Sequence, residues 1–350
     1  MIIRSCIIAS TLFLCVLSHG CELPAPHEDI EQDPLFNTKL ITDNRNEVQK
    51  HLMTHYNASI IDIATDDNVT LKAISIPATE TVERTIIAFP GFYRGVKEGM
   101  VPLIRLLPKN YHKFLVEERG HGESDGYFWS NLRRYGIDET NDIKAALEWV
   151  KKHTSPTIPV TILGLCTGGF NATRALQHLK NENKLHEYNV DSLILDSTIV
   201  SGTHVLHAGK HHFQKVMSQY FAWLYPNDSN AQVRERLLPK LVWYLLGSPI
   251  ISALTFFVRG GIEKHDPETR IDTNIQSISD TPILALHAEE DGYAPKDHVE
   301  HLIKDHRNPQ DEVHIFKDSS HANNFLKHKV RYGKIVKNFL AKIKAAQNRE

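Results

Sequence analysis

The chain has 350 residues, 41% of them hydrophobic, and 40 Lys and Arg stand against 42 Asp and Glu, a net charge of −2. That length allows one large α/β domain with an insertion, or two small domains. The even charge balance, with no basic block, leaves no electrostatic footprint for nucleic acid, so no nucleic-acid partner is expected.

At the N-terminus one charge, Arg4, precedes the apolar run Cys6 to Leu17, and the small residues Ser18 and Gly20 stand just before Cys21. This pattern predicts a secretory signal peptide over residues 1–20, with an apolar part too short for a membrane span. Leu17-Ser18-His19-Gly20-Cys21 also resembles a bacterial lipobox, from which His19 and the displaced Leu17 depart. The expected location is therefore outside the cytoplasm: periplasmic, secreted, or held at a membrane as a lipoprotein by a lipidated Cys21. Of the four cysteines, Cys6 and Cys15 would leave with the signal, so Cys21 and Cys166 cannot build a disulfide framework. The sequons at Asn57, Asn68, Asn171 and Asn227 matter only in a host that glycosylates them.

Residues 21–57 read as a tether and lead-in, of which 22–36 are acidic, proline-bearing and without period. From Ala58 to Pro77 two alternating runs flank Asp66-Asp67-Asn68, which predicts a β-hairpin. RTIIAFPG and KFLVEERGHGESDG then give two short apolar runs ending in glycine-rich turns, with a helix-compatible stretch, Met100 to Pro108, between them. Glu139 to Val150 places Ile143, Ala146, Leu147 and Val150 on one helical face. Val160 to Leu163 reads as a buried strand and Asn171 to Lys180 as a helix, and three further strands lie in DSLILDSTI, TPILALHAEED and EVHIFKDSSH. Strands alternating with helices predict a doubly wound, mostly parallel sheet whose ligands bind beyond the carboxyl ends of its strands. Residues 58–200 and 277–350 form this core. Residues 201–276 break the rhythm and read as a helical cap rich in aromatics. Within them the uncharged run Leu241 to Val258 is interrupted by Gly247, Ser248 and Pro249, which favours two cap helices over a membrane span. His204, His207, His211 and His212 read as a solvated cap face, and no metal or cofactor is expected.

The turn Gly164-Leu165-Cys166-Thr167-Gly168-Gly169 joins the strand at Val160 to the helix beyond it. It fits the G-x-S-x-G nucleophile elbow with sulfur in place of the hydroxyl, since a tight strand-to-helix turn leaves no room for Cβ atoms beside a strained residue 166. A thiol needs a base, and His321, in the polar turn after the last strand, is positioned to serve. The imidazolium needs a carboxylate. Asp291, after the preceding strand, is the first candidate and Asp196 the alternative, with Glu289 and Glu290 less well placed. For the oxyanion, position suggests the backbone N–H groups of Thr167 and Phe92.

Five motifs in order carry a resemblance over roughly residues 58–345: FPGF, RGHGESDG (Arg119 to Gly126), GLCTGG, HAEEDGYAP and SSHANNF. They resemble the oxyanion turn, the R-G-H-G-x-S-x-G turn, the elbow, the acid turn and the histidine loop of the α/β-hydrolases. Phe89 and Pro90 replace a histidine often found before the oxyanion glycine. Cys166 replaces serine, as in dienelactone hydrolases and polyhydroxyalkanoate synthases. The resemblance implies an α/β-hydrolase fold with a helical cap and a Cys166–Asp291–His321 triad acting on a small acyl substrate. An esterase or thioesterase working through an acyl-enzyme is the first reading; an acyltransferase, and a binding protein on a hydrolase scaffold, are the others.

Overall fold

A computed structural model describes residues 44–91, 96–126, 136–201, 270–272 and 274–348. The expected signal peptide, Cys21, the acidic tether, Phe92, and nearly all of the expected cap, with its four histidines, lie outside the described residues.

Along the chain run α1 (Arg45–Tyr56), β1 (Ser59–Ala64), β2 (Thr70–Ile76), β3 (Arg84–Phe89), the single turn α2 (Val101–Ile104), β4 (Tyr111–Glu117) and α3 (Glu139–His153). These are followed by β5 (Val160–Leu165), α4 (Thr167–Asn181), β6 (Val190–Asp196), β7 (Ile283–Ala288), α5 (Lys296–His306), β8 (Glu312–Phe316), α6 (Asn324–Lys327) and α7 (Lys329–Gln347). The strands form one eight-stranded sheet in the order β1-β2-β4-β3-β5-β6-β7-β8. The β1–β2 hairpin and its junction with β4 are antiparallel, and every later pairing is parallel. The α/β-hydrolase fold expected from the sequence is the observed one.

Why β3, β5 and β7 read as unbroken apolar runs is now physical: each is buried along its whole length, because helices cover both faces of a parallel sheet. Side-chain alternation sorts neighbours onto opposite faces. Ile162 belongs to the buried layer that holds Ile143, Leu147 and Leu176 of α3 and α4, whereas the adjacent Leu163 belongs to the opposite layer, with Leu52 of α1 and Val336 and Phe339 of α7. Cys166 sits at the end of β5 and touches both layers.

Two elements differ from expectation. Helix α4 starts at Thr167 rather than Asn171, because Gly168 and Gly169 are part of its first turn, where close packing excludes side chains. Helix α1 lies in the stretch read as lead-in. It buries only Val48 and Leu52, too thin a stripe to stand out in the sequence, and is fastened by Arg45 to Glu98 at 3.1 Å and Glu117 at 2.9 Å. Glu98 and Glu117 also flank the fully buried ammonium of Lys97, at 3.2 and 3.3 Å. The knot ties α1 to the segment that follows β3.

Where the sequence predicted an insertion, the described flanks meet: Ser201 and Arg270 pair in an antiparallel bridge, so residues 202–269 leave and rejoin the core at adjacent points beyond β6. Among the described residues no helix is long and apolar enough to cross a membrane.

One buried acid makes stability depend on pH. Glu139 opens α3 at 5% exposure, and burial lifts its carboxyl to about 7, helped by the charge of Asp142 and opposed by Arg119. A carboxyl raised in the folded state favours folding when protonated. Its destabilising effect grows as pH rises from the unfolded value through about 7. Glu139→Gln should therefore raise the unfolding free energy relative to wild type by up to about 3 kcal/mol near pH 8 and by little near pH 5. Denaturant titrations at the two pH values check this, and an offset equal at both would contradict it.

Candidate active site

The elbow is built by steric necessity. Cys166 caps α4 at φ 54° and ψ −115°, a backbone conformation that an L-residue holds only when its surroundings enforce it. A Cβ on Gly164 would lie 2.2 Å from the Cα of Gly169, and one on Gly168 would lie 2.5 Å from the carbonyl oxygens of Phe89 and Pro90. Neither site admits any side chain. The same closeness packs the turn after β3 against Cys166: a Cβ on Gly91 would meet the Cβ of Cys166 at 2.9 Å. The first turn of α4 thus presents its unpaired amides, Thr167 N–H first, beside the sulfur, where helix geometry favours negative charge. Phe92, the other expected oxyanion donor, lies outside the described residues.

His321 and Asp291 come together as the sequence suggested. The ring Nδ1 of His321 lies 2.9 and 2.8 Å from the two carboxylate oxygens of Asp291. Asp291 also accepts backbone N–H bonds from Tyr293 at 2.9 Å and Ala294 at 2.8 Å. Both side chains are out of water, at 7% exposure for His321 and 0% for Asp291. Burial alone would lower His321 and raise Asp291. The Asp291 charge and the Cys166 sulfur reverse the first effect and hold His321 well above the ordinary imidazole value, and the facing imidazole reverses the second and holds Asp291 low. The Cys166 sulfur is near enough to His321 to help raise it, so the ring faces both the sulfur and the carboxylate. Tyr293 stacks obliquely on it, with ring centroids 5.1 Å apart.

Asp196, the alternative acid, makes no hydrogen bond to the ring. It is fully buried, and burial raises it to about 6, against donors in Asn324 and Ser197. Its Oδ1 accepts from Asn324 Nδ2 at 2.7 Å and from Ser197 Oγ at 3.0 Å. Glu289 and Glu290 are exposed at the start of the acid turn. The RGHGESDG turn contains no residue that touches the triad by hydrogen bond; Arg119 instead joins Asp142 at 2.8 Å and Asp67 at 2.6 Å, tying the turn to α3 and the hairpin. Among the described residues no cluster of three His, Cys, Asp or Glu is arranged to hold a metal.

Sequence reading missed two supports of this site. His287, fully buried in β7, has Nε2 against the carbonyl oxygen of Ala294 and 3.6 Å from Asp291, closing the acid turn from below. Asn324 and Ser197 brace the histidine loop. His287 opens the HAEEDGYAP motif, so its place was marked in the sequence, but nothing there assigned it the role of closing the turn.

Comparison with known proteins matches residues 80–324, which span Cys166, Asp291 and His321, to the family described as serine aminopeptidase, S33. The uncharacterized protein YfhR of Salmonella typhi is 25% identical over 230 residues, covering 64% of this chain and 60% of that protein, so the chain spans under two thirds of that relative's length. Among solved structures, the Pyrococcus furiosus esterase Pf2001 superposes with a TM-score of 0.60 at 20% identity, over 82% of this chain and 91% of that one. The α/β hydrolase GrgF from Penicillium does so with a TM-score of 0.54 at 19% identity, over 82% and 99%. At such identities the structures share the fold.

Proposed function

Since the chain belongs to the serine aminopeptidase S33 family of α/β-hydrolases, we propose that it hydrolyses an ester or thioester with cysteine in place of the serine nucleophile. The observation that carries this reading is the buried, hydrogen-bonded His321–Asp291 pair facing the Cys166 sulfur on a strained elbow. Its chemistry follows from the positions. Cys166 gives its proton to His321 and attacks the substrate carbonyl carbon as the thiolate, forming a C–S bond while the carbonyl electron pair moves onto oxygen. The Thr167 N–H, with that of Phe92, receives the oxyanion. Collapse expels the alcohol or thiol, which takes the proton from His321 and leaves an acyl-Cys166 thioester. His321 then removes a proton from water, which attacks the thioester, and returns it to the departing sulfur. Asp291 keeps the proton-bearing Nδ1 facing it, so that the other ring nitrogen works.

Ester cleavage is favoured over amide cleavage by the named activity of the Pyrococcus furiosus esterase, which shares the fold. The aromatics Phe221, Trp223, Tyr225, Trp243, Tyr244, Phe256 and Phe257 of the expected cap suit an apolar acyl group. Four added methylenes at about 0.8 kcal/mol each should then raise kcat/KM by roughly two orders of magnitude. A panel of p-nitrophenyl esters from acetyl to dodecanoyl, acyl thioesters and aminoacyl p-nitroanilides tests both points. Hydrolysis of the first two classes, rising with chain length, is expected. Cleavage confined to the anilides would overturn the ester assignment, and a flat chain-length profile would remove the acyl pocket.

A further inference from the structure

One dipeptide at the end of β6 touches all three loops that carry the triad. The Asp196 carbonyl oxygen accepts the N–H of Cys166 at 2.8 Å, which fixes the nucleophile backbone. The Ser197 N–H donates to the carbonyl oxygen of Leu286 at 2.9 Å, on the strand that leads to Asp291. The Ser197 hydroxyl accepts the N–H of Ala322, next to His321, at 3.0 Å. That hydroxyl donates in turn to Asp196 Oδ1 at 3.0 Å, and Asn324 Nδ2 bridges the pair at 2.7 Å to Asp196 and 3.3 Å to Ser197. Asp196 Oδ1, Asn324 Nδ2 and the Ser197 hydroxyl all find their partners within the protein. Asp196 and Ser197 are both fully buried, so water cannot replace any of these bonds without opening the site.

The backbone gives an independent sign of selection for geometry. Ser197 holds φ 51° and Ala322 φ 56°, and with Cys166 at 54° they put three non-glycine residues in the left-handed region around one site. Each such residue costs free energy and persists only where neighbours over-determine it. A glycine at 197 would relax that strain, yet the chain keeps a serine whose hydroxyl reaches the histidine loop.

We propose that Ser197 is a positioning residue of the active site, whose hydroxyl sets the distance of His321 from Cys166 by holding Ala322 to the turn that also anchors the nucleophile. This rests on the triad reading. Ser197 touches no reacting atom; it acts through Ala322, and a base displaced by a fraction of an ångström transfers protons more slowly without binding substrate less well.

The test uses Ser197→Gly and Ser197→Ala, with active sites labelled and counted by the stoichiometric burst from a slowly deacylated p-nitrophenyl ester, so that any misfolded fraction drops out of kcat. Glycine removes the hydroxyl and accepts the positive φ, which separates positioning from folding. In both variants kcat per labelled site should fall about 10- to 100-fold while KM stays within about twofold, the pattern of a lost transition-state interaction. Wild-type kcat per site in the glycine variant would overturn the proposal, as would a loss in the alanine variant alone, which would assign the effect to backbone strain. If wild-type turnover instead survived complete iodoacetamide labelling of Cys166, the triad reading itself would fall, and the positioning role with it.

Discussion

Cys166→Ala should lower kcat by about 10⁵- to 10⁶-fold while leaving the fold intact, the largest effect expected of any single substitution here. The methyl group keeps the Cβ that packs against Gly91 and both core layers, so little packing is lost with the sulfur. What disappears is the atom proposed to form the acyl bond, and no other described cysteine can substitute. Cys166→Ser is a sharper comparison. It preserves the elbow and supplies the nucleophile common to the family, but a hydroxyl is far less acidic than a thiol, so its proton transfer to His321 is more uphill even with Asp291 raising the ring. The serine variant should therefore fall between alanine and wild type, at roughly 10²- to 10³-fold below wild type. Steady-state kinetics of the three proteins check the order, and equal activity of alanine and wild type would remove the thiol from the mechanism.

Asp291→Asn should lower kcat by about 10⁴-fold. With its oxygen at the Oδ1 position the amide can keep the packing and both backbone N–H bonds from Tyr293 and Ala294. It can also turn its NH₂ toward His321 Nδ1, which traps the tautomer whose proton sits on the nitrogen facing Cys166 and so removes the base. The same change deletes the charge that holds His321 above the imidazole value against the pull of burial, so the pH at which activity is gained should move downward. Asp196→Asn is the control. Asp196 is bonded to Asn324 and Ser197 rather than to the ring, so its loss should act only by loosening the histidine loop, within about 10²-fold. A ranking with Asp196→Asn below Asp291→Asn in activity would move the acid to the end of β6.

How much of this could be read in the sequence follows from the range of each interaction. The elbow was legible because its constraint is local: Gly164, Gly168 and Gly169 exclude Cβ atoms within a six-residue turn, and the apolar run before it is a buried parallel strand. Asp291 and His321 were legible from a topological rule, since each follows a parallel strand at the edge where such sheets bind ligands. Chain distance hid the supports. Ser197 meets Ala322 across 125 positions and Asp196 meets Asn324 across 128, so no periodicity or spacing announces them. Lys97 is fully buried because Glu98, Glu117 and Glu123 close around it from three segments, a convergence that no local pattern shows. Helix α1 escaped notice for the opposite reason: its apolar stripe is two residues wide and its hold on the core is ionic.

The claim on which the rest depends is that the acyl group passes through the sulfur of Cys166. Acid-quenching the protein within milliseconds of mixing with a medium-chain thioester, followed by intact-mass and peptide mass spectrometry, tests it directly. The account predicts one added acyl mass per chain, located on the peptide containing Cys166, that forms and decays at rates able to support kcat and is absent from Cys166→Ala. Turnover without any acyl adduct on Cys166, or an adduct on another residue that survives Cys166→Ala, would contradict it.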